Sequence, residues 1–150
     1  MIKIEIYTDG ACNQKARDGG WSFVMLENGK EKLESSGSVS DTTNNQCEML
    51  AVIHAFEAIE EIEFFENTEI HVYSDSAYVV NAFLDDWISN WIDTGWKNSY
   101  GKPVANKNLW EQLIHFQKKH KPIFTKITRR STDLAKKVDE MAGKMVGKKS

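Results

Sequence analysis

Two short segments of the chain end in the same way. Tyr7-Thr8-Asp9-Gly10 and Tyr73-Ser74-Asp75-Ser76 each place an aspartate two residues after a tyrosine, where an apolar–polar alternation stops. If the two segments run side by side and parallel, both carboxylates sit at one edge of a sheet, where ligand sites of open α/β sheets form. Taken singly, each Asp reads better as the cap of a turn or a helix. Glu48 shifts the balance. On a helix, at ~100° per residue, Met49, Val52, Ala55, Phe56, Ile59 and Ile62 form one apolar arc. Glu48 falls inside that arc, not on the polar face with Glu57 and Glu61. A carboxylate facing a core is costly unless it is paired or bound to a cation. A capping-box role would explain its place near the helix start but not the arc it shares. Toward the other end of the chain, Asp139 borders the apolar face of Leu134, Val138, Met141, Ala142 and Met145. Asp133 lies nearly opposite and reads as solvated or as a cap.

Asp9, Glu48, Asp75 and Asp139 converging without a counter-charge would repel, and some would keep their protons. Hard divalent cations remove the conflict. Mg²⁺ accepts a few carboxylates and retains waters for a substrate phosphate. Two such ions can activate a water and stabilise the leaving oxygen in phosphodiester cleavage.

The elements that must position these groups follow from pattern. Residues 2–9 alternate as a strand, and 21–26 and about 31–39 form two more, joined through the Asn28-Gly29 hairpin signal. Capping residues at 41–45 open a helix that runs to about Ile62. A fourth strand at 69–74, separated from the third by that helix, is expected parallel to the first. Short helices at 76–84 and 86–91, a polar loop at 94–103, a helix at 107–119, a strand at 122–128 and a closing helix at 134–146 complete the order. The expectation is one α/β domain over 1–150 with a five-stranded mixed sheet, three strands antiparallel and then two parallel, flanked by helices.

Composition sets the outer bounds. The chain has 150 residues, 41% hydrophobic and 27% charged, which excludes disorder and collagen-like repeats. Two cysteines, Cys12 and Cys47, cannot make a disulfide framework or a four-cysteine zinc site, and both are expected to be reduced. No apolar run approaches the ~18 residues of a membrane span. The alternating start from Met1 to Tyr7 is no signal peptide, so a soluble cytoplasmic protein is expected. Net charge is −3, yet from Lys118 onward eleven Lys/Arg face three Asp/Glu, against eight and nineteen before it. A local basic patch can hold phosphate whatever the net charge, although Lys144, Lys148 and Lys149 read as a solvated tail.

With these residues in view, the chain resembles the type 1 ribonuclease H family. The matching segments are Tyr7-Thr8-Asp9-Gly10-Ala11-Cys12, Thr43-Asn44-Asn45-Gln46-Cys47-Glu48, Ser74-Asp75-Ser76-Ala77-Tyr78-Val79 and Val138-Asp139-Glu140-Met141-Ala142. The stretch from Trp87-Ile88-Ser89-Asn90-Trp91 through Gly95-Trp96-Lys97 and Lys102-Pro103-Val104-Ala105-Asn106 to Leu109-Trp110 resembles that family's substrate-binding handle. The resemblance implies an RNase H-like fold and a Mg²⁺-dependent endonuclease that cuts the RNA strand of an RNA–DNA hybrid, leaving 3′-hydroxyl and 5′-phosphate ends. Mn²⁺ is a possible substitute. It implies that Asp9, Glu48, Asp75 and Asp139 are the catalytic and metal-binding carboxylates, with two ions engaged alongside substrate. Asn44, Asn45 and the backbone around Cys12 would read the minor groove and ribose hydroxyls, the groups that tell RNA from DNA. Thr43 and Asn106 would hold a DNA-strand phosphate, and Trp87 and Ser99 would line the DNA channel.

The handle has a plainer reading as well. Trp87 and Trp91 stand one turn apart, and Trp91 and Trp110 are expected to be structural. Its Lys97, Lys102 and Lys107 are opposed by Asp85, Asp86 and Asp93, so weak, salt-sensitive hybrid binding by a monomer is expected. The sequence departs from the family in two places. The usual Asn-Pro-Gly turn is replaced by Asn13-Gln14-Lys15-Ala16-Arg17-Asp18. The stretch from Lys126 to Asp139 has no histidine and carries Ala135 in place of an asparagine. His54, on the polar side of its helix, reads as a bystander. Arg129 or Arg130 would substitute for the missing histidine by contacting the scissile phosphate or stabilising developing charge; the alternative is a solvated loop. A hybrid-binding module without turnover, or another nuclease on the same fold, are the competing functions.

Overall fold

The computed structural model describes residues 1–62 and 67–148; Lys149 lies outside them. The elements are β1 (Ile2–Asn13), β2 (Asp18–Glu27), β3 (Lys30–Val39), α1 (Asn44–Glu61), β4 (Thr68–Ser74), α2 (Ala77–Leu84), α3 (Trp87–Asp93), α4 (Lys107–His120), β5 (Ile123–Lys126) and α5 (Asp133–Met145). They form one five-stranded sheet in the order β3-β2-β1-β4-β5. β1, β2 and β3 pair antiparallel, and β4 and β5 join parallel to β1 and to each other. Type and order agree with the expectation. β1 and β2 extend further than the alternation suggested, because Cys12 and Asn13 still pair with Gly19 and Asp18. β5 is shorter than expected.

Each sheet face has its own core. On one face Ile4, Ile6, Phe23, Met25, Val72 and Phe124 pack against α1, α2 and α4 through Met49, Val52, Phe56, Val79 and the fully buried Trp110. On the other, Val24 and Leu26 meet Val138 of α5, with Tyr7, Leu134 and Met141 beside them. Tyr7 is half-buried on this face. It stacks on Tyr73 at 4.8 Å. Fully burying apolar side chains such as Phe23 and Val24 contributes ~1.5–3 kcal/mol each.

Asn28 and Gly29 adopt φ of 49° and 85°, the left-handed pair that a tight hairpin requires. Thr43 caps α1 by accepting from Gln46 N at 3.2 Å. Ser76 caps α2, accepting from Val79 N, and Thr132 caps α5, accepting from Ala135 N. Asp133 is exposed in the first turn of α5 and makes no cap. The tryptophans of the handle pack inward. Trp91 meets Trp110 at 5.2 Å and Trp96 at 6.1 Å, and Trp87 meets Trp91 at 6.3 Å. Among the described residues no helix is long and apolar enough to cross a membrane.

Candidate active site

Parallel pairing sets Tyr7 against Tyr73, so Asp9 and Asp75 stand just beyond the same edge of the sheet. α1 crosses close above it. A Cβ on Gly10 would lie 2.5 Å from the Cys47 carbonyl carbon and the Glu48 amide, so only glycine lets the helix start sit on β1. The result is that Glu48 Oε1 accepts a short bond from Gly10 N, which also donates to Asp9 Oδ1 at 2.9 Å. Ser74 Oγ accepts from Ser76 N at 3.0 Å, fixing the turn that carries Asp75. α5 packs on the opposite face, where Ser22 donates to the Val138 carbonyl at 2.6 Å and holds the helix turn bearing Asp139.

Asp9, Glu48, Asp75 and Asp139 all line one open cleft of about 650 Å³. One oxygen each of Asp9, Glu48 and Asp75 lies within 4.8 Å of the others. Asp9 and Glu48 are buried and Asp75 is half-buried. Burial first, and then the Asp75 and Asp139 carboxylates, push Asp9 up to about 7 against relief from Glu48 and the Gly10 amide. Burial, followed by Asp9 and Asp75, holds the Glu48 carboxyl well above its ordinary value. Among the described residues the buried Glu48 Oε2 has no hydrogen-bond partner. A cation would satisfy that oxygen and relieve both raised acids. The donors are all carboxylate oxygens, which suit Mg²⁺ or Mn²⁺ better than a soft metal.

Asp139 differs. Arg129 Nε donates to its Oδ1 at 3.2 Å and Arg130 Nη1 to its Oδ2 at 2.7 Å. Arg130 also reaches Glu140 at 3.2 Å. Burial alone would raise Asp139, but bonds from Arg130, Asp9 and Arg129 outweigh it and hold the carboxyl below its ordinary value. Both arginines remain exposed, and Arg129 also lines the cleft. They clamp the fourth acid, with Arg130 at a left-handed φ of 55°.

Asn44, Asn45 and Cys12 line the same cleft, and Cys12 Sγ contacts the Thr42 carbonyl at 3.7 Å. Thr43 caps α1 at its margin. Trp87 and Ser99 are not among its lining residues. Trp87 lies half-buried against the core, and Ser99 sits in an exposed turn. His54 lies outside the cleft, stacked on Trp21 at 4.1 Å and bonded to Glu57 at 2.8 Å, so it is packed more than its polar helix face suggested. Lys126 and Tyr78 also line the cleft and were not singled out in the sequence. Nothing in their spacing marks them.

The RNase H family model matches residues 2–147. A ribonuclease H of Acetivibrio thermocellus is 38% identical, covering 100% of this chain and 99% of its own length. One from Syntrophomonas wolfei is 44% identical over 133 residues, 89% of this chain and 88% of the relative. Among solved structures, LC9-RNase H1, described as a type 1 RNase H with the type 2 active-site motif, superimposes with a TM-score of 0.82 at 22% identity. That match covers 97% of this chain and 72% of that one. LC11-RNase H1, solved in complex with an RNA/DNA hybrid, gives 0.71 at 22% identity over 95% of this chain and 96% of that one. These likenesses carry the fold. The family match over nearly the whole chain and the full-length relatives carry more: the chain belongs to the ribonuclease H family of hydrolytic nucleases.

Proposed function

We propose that this chain, as a single RNase H domain, is a metal-dependent endonuclease that cuts the RNA strand of RNA–DNA hybrids, leaving 3′-hydroxyl and 5′-phosphate ends. The observation that carries the reading is the Asp9–Glu48–Asp75 cluster, with its unpartnered Glu48 oxygen, opening into a cleft shared with Asn44, Asn45 and Cys12. Asp9, Glu48 and Asp75 would hold a divalent ion, Mg²⁺ with Mn²⁺ as substitute, and Asp139 would join them when a second ion and substrate are bound. The bound ions supply an activated water and stabilise the leaving oxygen. Asn44 and Asn45, exposed at the start of α1, meet ribose hydroxyls and base edges in the minor groove, together with backbone at Cys12. Thr43 and Asn106 hold a DNA-strand phosphate. Trp87 and Ser99 line the path of the DNA strand along α3 and the turn after it. Arg129 and Arg130 take the place of a histidine by fixing Asp139. The enzyme acts as a cytoplasmic monomer.

The test is a fluorescent hybrid incubated at low salt with Mg²⁺, then Mn²⁺, beside an Asp75→Asn control. Internal RNA cuts absent from the control are expected. Binding without cutting in either metal would leave a hybrid-binding module, and cutting of duplex DNA would make it another kind of nuclease.

A further inference from the structure

A hydrogen-bonded chain at the edge of the cleft is not used by the carboxylates. Gln46, in the first turn of α1, donates from Nε2 to Asn106 Oδ1 at 3.0 Å. Its own Oε1 accepts from the Thr42 hydroxyl at 3.0 Å. Asn106 Nδ2 donates to the Tyr78 hydroxyl at 3.2 Å, and the same hydroxyl accepts from Trp110 Nε1 at 3.2 Å. Gln46, Tyr78 and Asn106 sit at the N-terminal ends of α1, α2 and α4. The chain therefore ties three helix starts together.

Donor and acceptor chemistry gives this chain a direction. An indole N–H only donates, so Tyr78 must accept from Trp110. Gln46 pins the Asn106 carbonyl oxygen, so the Asn106 amide nitrogen faces Tyr78 and the phenol oxygen accepts twice. The Tyr78 O–H is then a donor with no described acceptor, on a residue that lines the acid cleft. Asn106 keeps its second N–H. Thr43, whose oxygen accepts from Gln46 N, keeps its hydroxyl proton. Three spare donors thus stand on residues at the starts of α1, α2 and α4. Such a set matches an oxyanion, to which hydrogen bonds are strong.

We infer that the Tyr78 hydroxyl donates directly to a DNA-strand phosphate, and that Gln46 is the positioning residue that orients the donors. This rests on the hybrid-cutting reading above, in which Thr43 and Asn106 hold that strand. Gln46 sets the sign of the pocket. Without it the Asn106 amide can turn over, present its oxygen to Tyr78 and consume the phenol proton. Both donors aimed at phosphate are lost together.

The experiment uses hybrids whose DNA strand carries one neutral methylphosphonate linkage at successive positions, with wild type, Tyr78→Phe and Gln46→Met. Wild type is expected to show a KM about tenfold higher at one linkage with kcat nearly unchanged, the size of one bond to a charged group. Each variant is expected to show that rise on the unmodified hybrid and no further penalty at that linkage. Anisotropy of the same hybrids in Ca²⁺ repeats the scan as Kd, without turnover. Tyr78→Phe also leaves the buried Trp110 N–H without an acceptor, so melting is followed in parallel. A variant that melts lower yet keeps the full wild-type penalty at the linkage has lost only structure, and overturns the inference. So does a KM rise that is equal at every linkage. A wild type that binds with the linkage signature but never cuts overturns the functional reading and leaves this one standing. No binding of hybrid overturns both.

Discussion

The two walls of the acid cleft carry the same functional group in opposite electrostatic states. On the wall made by β1, α1 and β4, Asp9, Glu48 and Asp75 crowd together with no cation bonded to them among the described residues, and burial raises Asp9 and Glu48. On the wall made by α5, Asp139 is bonded by two guanidinium groups and lowered. One wall is unfinished until an ion arrives, and the other is already neutralised by the chain itself. A carboxylate's role in a site is thus set by what the fold places beside it, and residue type alone does not distinguish a ligand awaiting metal from one held in reserve.

The sharpest way to break the comparison is to remove an unfinished acid. Asp75→Asn is expected to lower kcat on hybrid on the order of a thousandfold, the loss of several kcal/mol of transition-state charge stabilisation. Retained cutting in a gel assay would refute its placement. The clamp comes next. Arg129→Ala combined with Arg130→Ala is expected to cost 10- to 100-fold, roughly the range seen for partners that orient a metal ligand, and Arg130→Lys is expected to recover part of it. A double variant as active as wild type would make the clamp incidental. The raised acids make a pH prediction. Asp9 ionises near 7 in the fold and near its ordinary value when unfolded, so its protonated form favours folding. That contribution is complete at low pH and is lost as pH rises from about 4 toward about 7. In EDTA the melting temperature is therefore expected to fall over that window by roughly 10 °C, with Asp9→Asn flattening the curve. Mg²⁺ or Mn²⁺ is expected to raise it more at pH 8 than at pH 5. Calorimetry showing a metal gain independent of pH would contradict this. The smallest effect is expected from Asp133→Asn, an exposed acid two turns from Asp139. Its change should stay within about 0.5 kcal/mol of stability, with activity unaltered.

Much of the unfinished wall was legible in the sequence. Asp9 and Asp75 follow alternating strands that stop, and Glu48 betrays itself by sharing an arc with Met49 and Val52. Those signals are local and periodic. The finished wall was only half legible. The apolar border of α5 marks Asp139, but its partners come from a loop whose turn depends on Arg130 taking a positive φ, which a sequence does not announce. Arg129 or Arg130 was expected to contact substrate or to lie in a solvated loop; their bonds to Asp139 were not foreseen, and Arg129 also lines the cleft. Tyr78 was missed because its importance lies in Gln46, Asn106 and Trp110, residues brought together only by tertiary packing. Trp91 and Trp110 were expected to be structural, and Trp110 is fully buried with the half-buried Trp91 packed on it.

The pairing of Ile2 with Thr68 in the central strands also has a consequence for timing. Asp9 pairs with Ser22 in the local β1–β2 ladder, but no second acid stands beside it until α1 and β4 have folded and a long loop has closed, a slow and non-local step. Asp139 arrives later still, on the final helix. A chain that has not yet folded α5 onto the sheet therefore carries at most three of the four acids, and lacks the one that the arginines hold.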